Sequence, residues 1–355
     1  MPKIRKVLML VENREVPVDA RVWPEAMALR DAGLQVTVIS PKGGTEHREP
    51  HLCIDGINVY RYDLPMGHSA ATYAVEYGVA LVMTFWLSLR VWWRHGFDAI
   101  HAANPPDIFF VLGLFYRLLG KAYVFDQHDL SPELFRVLFA DRGGGPTTRL
   151  IEQLLLLFER WSYRTAKMVI VANASFRRLA IARGHCSPEK IVVVRNAPDL
   201  RSMQPGQPEP ELKLGRRFLL AYMGVMNAQD GVDYTLRALD LLVNERRRQD
   251  VALVLIGDGP SAPRLREIAR DLALDEYVHF TGWVGRQEIL RHLTAADVGL
   301  SPDPYNELND ASTMIKTMEY MSMGKPVVAF DLTETRFSAQ DAALYARPNL
   351  VEEFA

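Results

Sequence analysis

Apolar runs of strand length alternate with helix-length segments along almost the whole chain, and the alternation occurs twice. That pattern marks βαβ units, whose crossovers build parallel sheets covered by helices. In the first half it predicts strands at Val7–Val11, Val36–Ser40, Ile57–Arg61, Ala99–Ala102, Ala122–Asp126, Met168–Ala172 and Ile191–Val194. Helices are predicted between them, among others at Trp23–Ala32, Pro106–Leu119 and Thr148–Thr165. From Asp199 to Arg217 the order breaks. Pro205, Gly206, Pro208 and Pro210 stand among few large apolar groups, which reads as a linker. A second series follows at Phe218–Met223, Val251–Ile256, Val278–Phe280, Val298–Ser301 and Pro326–Phe330. The expected architecture is α/β, with doubly wound domains at 1–198 and 218–355 joined through 199–217. The 355 residues suffice for each domain to bury its own core. In such folds ligands bind at the carboxyl ends of strands, so candidate residues are sought there.

Composition removes several alternatives. Lys and Arg number 41 against 43 Asp and Glu, a formal net charge of −2, without the basic excess of nucleic-acid binders. Cys53 and Cys186 form neither a CxxC unit nor a disulfide framework, which fits a reduced, cytosolic compartment. The apolar run after Met1–Lys6 is too short for a secretory signal and reads as the first strand.

The segment Tyr73–Trp93 stands apart as long and apolar, with Phe85, Trp86, Trp92 and Trp93 at its far end. Its length approaches the roughly 20 residues that span a bilayer, yet Glu76 and Arg90 interrupt it between two strands of one sheet. A packed helix and an interfacial helix touching lipid both fit, and the terminal tryptophans suit the interface. The expectation is a helix packed in the first domain that presents those four aromatic rings as an exposed patch. Arg90 and Arg94 would then favour anionic headgroups. The plainer alternative has the rings fill the core against Pro106–Leu119.

The stretch Asn309–Asp331 carries the most chemistry. Ser312 or Thr313 is a suitable N-cap, Gly324 a C-terminal stop, and Pro326 opens a strand. On the helix expected between them, Ser312, Lys316 and Glu319 share one face, while Met314, Met318 and Met321 lie largely elsewhere. The helix start offers N–H groups and partial positive charge to a phosphate, Lys316 adds a cation, and Glu319 suits a pair of sugar hydroxyls. A surface salt bridge on an amphipathic helix would leave the same pattern.

This passage resembles the donor-binding helix of family 4 glycosyltransferases, retaining enzymes of the GT-B fold, with GKPVVA following the helix. VDARVWPEAMALRDAGLQVTVIS resembles that family's first βαβ unit, FDQHDLSPELF its histidine-bearing loop, and KIVVVRNAPD the strand leading out of the first domain. YMGVMNAQDGVDYTLRAL, LVLIGDGP, VHFTGWV and AADVGLSP succeed one another in the family's order. Each alone is weak, and GDGP by itself fits any tight turn; their colinear succession carries the resemblance. It implies two Rossmann-like domains facing each other across a cleft that closes to exclude water. Glu319 matches the glutamate that binds the nucleotide ribose, and His128 the histidine near the reaction centre. The backbone after Thr281-Gly282, at Trp283 and Val284, matches the turn facing the base. Gly224, Asn227, Gly257 and Gly259 match positions where the chain approaches the nucleotide.

The departures are specific. Counting back eight residues from Glu319 gives Ala311, so the first glutamate of the family's motif is missing, with Asp310 beside it as a partial substitute. The family places an arginine after the glycine matching Gly224 and a lysine before the one matching Gly231. Here these are Val225 and Asp230. Lys316, with Thr313 and the helix start, is the expected replacement grip on the diphosphate, since charge-assisted contacts are the strong ones. Asp19 and Arg21 stand where the family has a glycine-rich loop, and meet acceptor or phosphate or form a structural pair. No ligand cluster has metal spacing, Asp303 lies in a Pro-rich turn, and no metal or other cofactor is expected. The resemblance therefore implies transfer of a sugar with retention, from UDP rather than GDP, to a glycan or lipid-linked hydroxyl acceptor in cell-surface polysaccharide synthesis. Catalysis is implied for His128 and Lys316. The protein is expected in the cytoplasm, at the inner face of the membrane if the aromatic patch docks. A degenerate paralogue binding a sugar nucleotide or partner enzyme without turnover, and a sugar-nucleotide epimerase, are the alternatives. The family usually continues with further helices after Leu350–Ala355, so a shortened chain is also expected.

Overall fold

The computed structural model describes residues 4–43, 48–65, 70–139 and 145–355; of the opening Met1–Lys6 segment, residues 1–3 lie outside this description. The chain forms two compact units, Met1–Arg195 and Asn196–Ala355.

The first unit is built on an eight-stranded sheet. In chain order its strands are β1 (Lys6–Leu10), β2 (Gln35–Pro41), β3 (His51–Ile54), β4 (Ile57–Tyr62), β5 (Ala99–Ala103), β6 (Ala122–Gln127), β7 (Met168–Val171) and β8 (Ile191–Val193). They lie side by side as β3-β4-β2-β1-β5-β6-β7-β8, all parallel except β3, which pairs antiparallel with β4. Strands buried on both faces need continuous apolar runs, and β1 supplies one with Val7, Leu8, Met9 and Leu10 all buried. The crossovers carry α1 (Val22–Asp31), α2 (Ala70–Arg94), α3 (Phe110–Leu118), α4 (Ser131–Phe139), α5 (Pro146–Thr165) and α6 (Ala174–Ala182). The strand order turns back at β1, between β2 and β5, so the loops after β1, β5 and β6 open onto one crevice of this sheet.

The second unit has six parallel strands, β9 (Phe218–Met223), β10 (Val251–Ile256), β11 (Val278–Gly282), β12 (Val298–Ser301), β13 (Val327–Phe330) and β14 (Ala343–Ala346). Their order is β11-β10-β9-β12-β13-β14, which turns back at β9. The helices are α7 (Val232–Asp240), α8 (Ala262–Asp271), α9 (Arg286–Ala295), α10 (Glu307–Ala311), α11 (Ile315–Ser322), α12 (Thr333–Ala339) and α13 (Val351–Phe354). One layer of core packs Leu236, Leu253, Leu255 and Phe330; the other packs Leu219, Val254, Leu293 and Tyr320.

The segment 199–217, expected as a linker, is part of the second unit. Met203 is buried in its core, the Gly206 N–H donates to Thr294 Oγ1 at 3.1 Å, and Lys213 Nζ lies 2.7 Å from Asp297. One methionine and a few ion pairs anchor a stretch whose prolines alone suggested a free connector.

Candidate active site

In the second unit the glycines after β9 and β10 fix the backbone. Gly257 has φ +126°, and a Cβ placed on it would sit 2.1 Å from the carbonyl oxygen of Gly224, itself at φ +151°. A Cβ on Gly259 would meet the Met226 carbonyl oxygen at 2.6 Å. Only glycine lets these two loops lie so close. The Asp230 carboxylate accepts from the Asn227 backbone N–H at 2.9 Å and from its side-chain amide at 3.0 Å, closing the loop that leads into α7. Beside it Gly257 N–H donates to Thr281 Oγ1 at 3.3 Å, which ties the turn before Trp283 to the same strand ends. Trp283 is exposed, whereas Val284 turns inward onto the core.

The helix expected from Ser312 to Gly324 is two helices. α10 begins at Glu307, is capped by Asn306, whose side chain accepts from Asn309 N–H, and ends at Ala311. Ser312 to Met314 is extended, and α11 starts at Ile315 with Met314 as an N-cap that offers no side-chain acceptor. Ser312 therefore caps nothing on α11; its hydroxyl donates to the Leu308 carbonyl at 2.7 Å. Thr313 lies in the extended link. Asp310 is likewise spent on structure, accepting from Thr333 N–H at 2.8 Å and Thr333 Oγ1 at 3.0 Å at the start of α12. At α11 the Met314 side chain provides no cap, and the helix start carries the partial positive charge that suits an anion.

Lys316 also departs from expectation. Its Nζ donates to Asp303 Oδ1 at 2.6 Å and sits 4.9 Å from the centroid of the Tyr222 ring. Asp303 is buried and accepts from Ser301 Oγ through its other oxygen at 2.6 Å. Burial works against the ammonium charge, but Asp303 and then Asp230 outweigh it and hold the Lys316 pKa above the ordinary lysine value. The cation meant for a diphosphate is thus committed to carboxylates of the protein. Glu319 lies one turn along α11; burial pushes its pKa up, and Arg286 at the start of α9 draws it down. Tyr320 anchors the helix by accepting from Met223 N–H at 2.8 Å and donating to the Leu300 carbonyl at 3.2 Å.

In the first unit the chemistry gathers on Asp126, at the end of β6 and wholly buried. His128 Nε2 lies 2.9 Å and His101 Nε2 3.0 Å from its Oδ2, while Arg21 Nη2 donates to Oδ1 at 2.8 Å. Burial opposes the charge, but the His128 and His101 contacts hold the carboxyl well below its usual range. Glu25, 3.2 Å from Arg21 Nε, is pushed up to about 9 by burial and by Asp126. A carboxylate accepts, so Nε2 of His128 carries a proton, and Nδ1 of a neutral ring keeps its lone pair. The Asn104 side chain locks the loop, accepting from His128 N–H at 2.6 Å and donating to the Asp129 carbonyl at 2.9 Å. Asp19 and Arg21 do not pair side chain to side chain. Asp19 Oδ1 accepts the N–H groups of Arg21 and Val22 at 2.9 and 2.5 Å, capping α1, and Arg21 reaches across to Asp126 and Glu25.

Among the described residues, Glu25, Asp126 and His128 bring ligand atoms within 4.8 Å of one another, close enough for a metal ion. The Arg21 guanidinium already bridges two of the three, so this donor set serves a cation of the protein itself. Sequence reasoning missed Asp126, His101, Glu25 and Asp303. Only the FDQHD motif offered a signal, since its first aspartate alternates with the histidine on the same strand end.

Glycine-pinned ends of a parallel sheet beside a helix start define a doubly wound α/β protein with its candidate site at the strand ends. Residues 18–197 match the glycosyl transferase 4-like domain, and residues 217–355 match glycosyl transferases group 1. The chain belongs to this glycosyltransferase family, with the GT-B fold. The 2-deoxystreptamine glucosyltransferase of Streptomyces kanamyceticus is 24% identical over 315 residues, 84% of this chain and 77% of that protein. The alpha-D-kanosaminyltransferase of the same organism is 31% identical over 119 residues, 34% of this chain and 29% of that one. Sucrose-phosphate synthase from Thermosynechococcus elongatus is similar in structure with a TM-score of 0.74 at 15% identity, covering 98% of this chain and 87% of that chain. Anabaena Alr3699/HepE, solved with UDP and glucose, gives 0.68 at 17% identity, covering 99% and 88%.

Proposed function

We propose that this glycosyltransferase acts in the cytoplasm, moving a sugar from a UDP donor to a hydroxyl acceptor with retention at the anomeric carbon. The acceptor class is a glycan or lipid-linked saccharide of cell-surface polysaccharide synthesis. The UDP and glucose held by Alr3699/HepE support the choice of donor.

Glu319 carries the reading. It sits one turn into α11, and burial raises its hunger for hydrogen-bond donors. A carboxylate there repels phosphate and suits the two hydroxyls of a ribose. The phosphates then fall to the start of α11, where charge grows as the donor bond breaks and the helix end stabilises it most. His128 addresses the donor sugar, and the leaving phosphate takes the acceptor proton. No metal ion has a part in this scheme.

Calorimetric titration with UDP tests the assignment. Glu319→Gln should weaken UDP and UDP-sugar alike by about 1–3 kcal/mol, and unchanged affinity removes the ribose contact. The anomeric configuration of the product, read by NMR, tests retention. One observation favours a second reading, a protein that binds the donor without turnover. Val225 and Asp230 replace the family's two cations, and Lys316 is held by Asp303. Absence of both transfer and donor hydrolysis, with UDP still bound, would select it.

A further inference from the structure

Helix α2 is amphipathic the wrong way round for a protein surrounded by water. Its buried stripe runs through Glu76, Ala80, Thr84, Ser88 and Val91, polar or small in four of five places. Ser88 Oγ lies 2.8 Å from the Tyr116 hydroxyl on α3, which ties this polar stripe to the inside of the unit. The outward face carries the bulk. Trp86 is 64% and Trp93 86% exposed, and only 28% of the apolar window in this helix is buried. Trp92 and Phe85, expected in the patch, turn partly inward. Trp92 is 38% exposed with its ring 6.0 Å from that of Tyr116, and Phe85 packs edge-on against Phe115 at 5.2 Å.

The apolar surface does not end with α2. The Phe85–Phe115 contact joins α2 to α3, and Phe110 stacks on Trp161 at 6.2 Å to join α3 to α5. The three helices form one layer, and α3 and α5 continue the exposed surface with Phe115, Leu118, Leu157 and Trp161. A patch of this kind marks an interaction site.

Charge says what covers it. The three helices contain six arginines, and Arg90, Arg94, Arg117, Arg149 and Arg164 among them are exposed. Their three glutamates face away from the patch or are neutralised: Glu76 is buried, Glu159 is buried against Arg183, and Glu152 pairs with Arg136 at 2.9 Å. A second copy of the chain would set arginines against arginines with no carboxylate to answer them. A bilayer with anionic headgroups answers both the rings and the arginines. The buried polar stripe also keeps α2 on its sheet, so the helix lies in the interface and does not cross the membrane.

We infer that the α2–α3–α5 face docks in the plane of an anionic lipid bilayer, with Trp86 and Trp93 inserted and the arginines on headgroups. This extends the reading above by naming the surface at which a lipid-linked acceptor is met, but docking is measured without turnover. The experiment is sedimentation of the full chain with phosphatidylcholine vesicles, with and without phosphatidylglycerol. The parent should sediment with the anionic vesicles, less so as salt rises. Trp86→Ser with Trp93→Ser should cut the bound fraction at least about tenfold. Both side chains point outward, so the melting temperature of the double variant should match the parent's. Failure of the parent to bind anionic vesicles overturns the inference. So does a parent dimer in ultracentrifugation that the double variant dissolves, because the face would then be an interface between copies. Loss of vesicle binding with unchanged transfer to a soluble acceptor separates this inference from the activity itself.

Discussion

Replacing Lys316 by methionine separates two roles for one side chain. Methionine keeps the length of the side chain and its packing on Tyr222, and removes only the charge. Asp303 is then left buried, its Oδ1 without the donor now 2.6 Å away, and with Asp230 close by as a second uncompensated acid. Removing one partner of a buried pair costs about 3–5 kcal/mol. For a unit of this size each kcal/mol lowers the melting temperature by about 2–4 °C, so Lys316→Met should melt about 6–20 °C early. Pairing it with Asp303→Asn removes the orphaned charge and should restore most of that loss. Thermal unfolding by circular dichroism gives the stabilities, and single-turnover transfer gives the chemistry. A Lys316→Met protein that melts within about 2 °C of the parent, yet loses turnover, refutes the structural assignment and returns Lys316 to the diphosphate.

Two further outcomes follow from the same geometry. Gly257→Ala places a Cβ 2.1 Å from the Gly224 carbonyl oxygen and should abolish UDP binding at a cost above about 2 kcal/mol, whereas Gly324→Ala, also at positive φ but in open space, should cost only about 1 kcal/mol; equal losses in denaturant titrations would refute the close approach. Glu12, just after β1, is buried with Oε1 unpartnered, and burial and then Glu76 push its pKa up to about 8 from 4.5. A pKa raised on folding gives stability that is full below the unfolded value and lost as pH climbs to the folded one. Glu12→Gln should therefore stabilise the protein at about pH 8, by at most about 5 kcal/mol, and change little at about pH 5. Identical gains at both pH values would contradict it.

Much of the sheet was legible because buried parallel strands are written as continuous apolar runs. Phe218–Met223, Val251–Ile256 and Val298–Ser301 are strands with those bounds. The edge strands β3 and β14 escaped, because His51–Ile54 is largely exposed and Ala343–Ala346 is short and mixed in burial. The break between α10 and α11 was hidden by good helix formers on either side, and only the extended backbone of Ser312 and Met314 reveals it. Arg21 and Asp126 lie 105 residues apart, and no local spacing announces that they meet. Lys316 was expected as a grip on the diphosphate, and its ion pair with Asp303 was not foreseen because Asp303 sat in a Pro-rich turn that offered no reason to look there.

Asp126 has both oxygens engaged, one by Arg21 and the other by two imidazoles. A carboxylate tethered on both sides cannot swing without releasing contacts in two directions, so the His128 ring takes its heading from Arg21, about a hundred residues earlier in the chain, as well as from its neighbours. Positions 21, 25, 101, 126 and 128 consequently form one coupled unit, in which a change at any member is felt by the rest. Chimaeras that graft the first strand and helix of a relative onto the remainder of this chain would divide that unit. Their junctions would look harmless in the fold and still leave the histidine without its bearings.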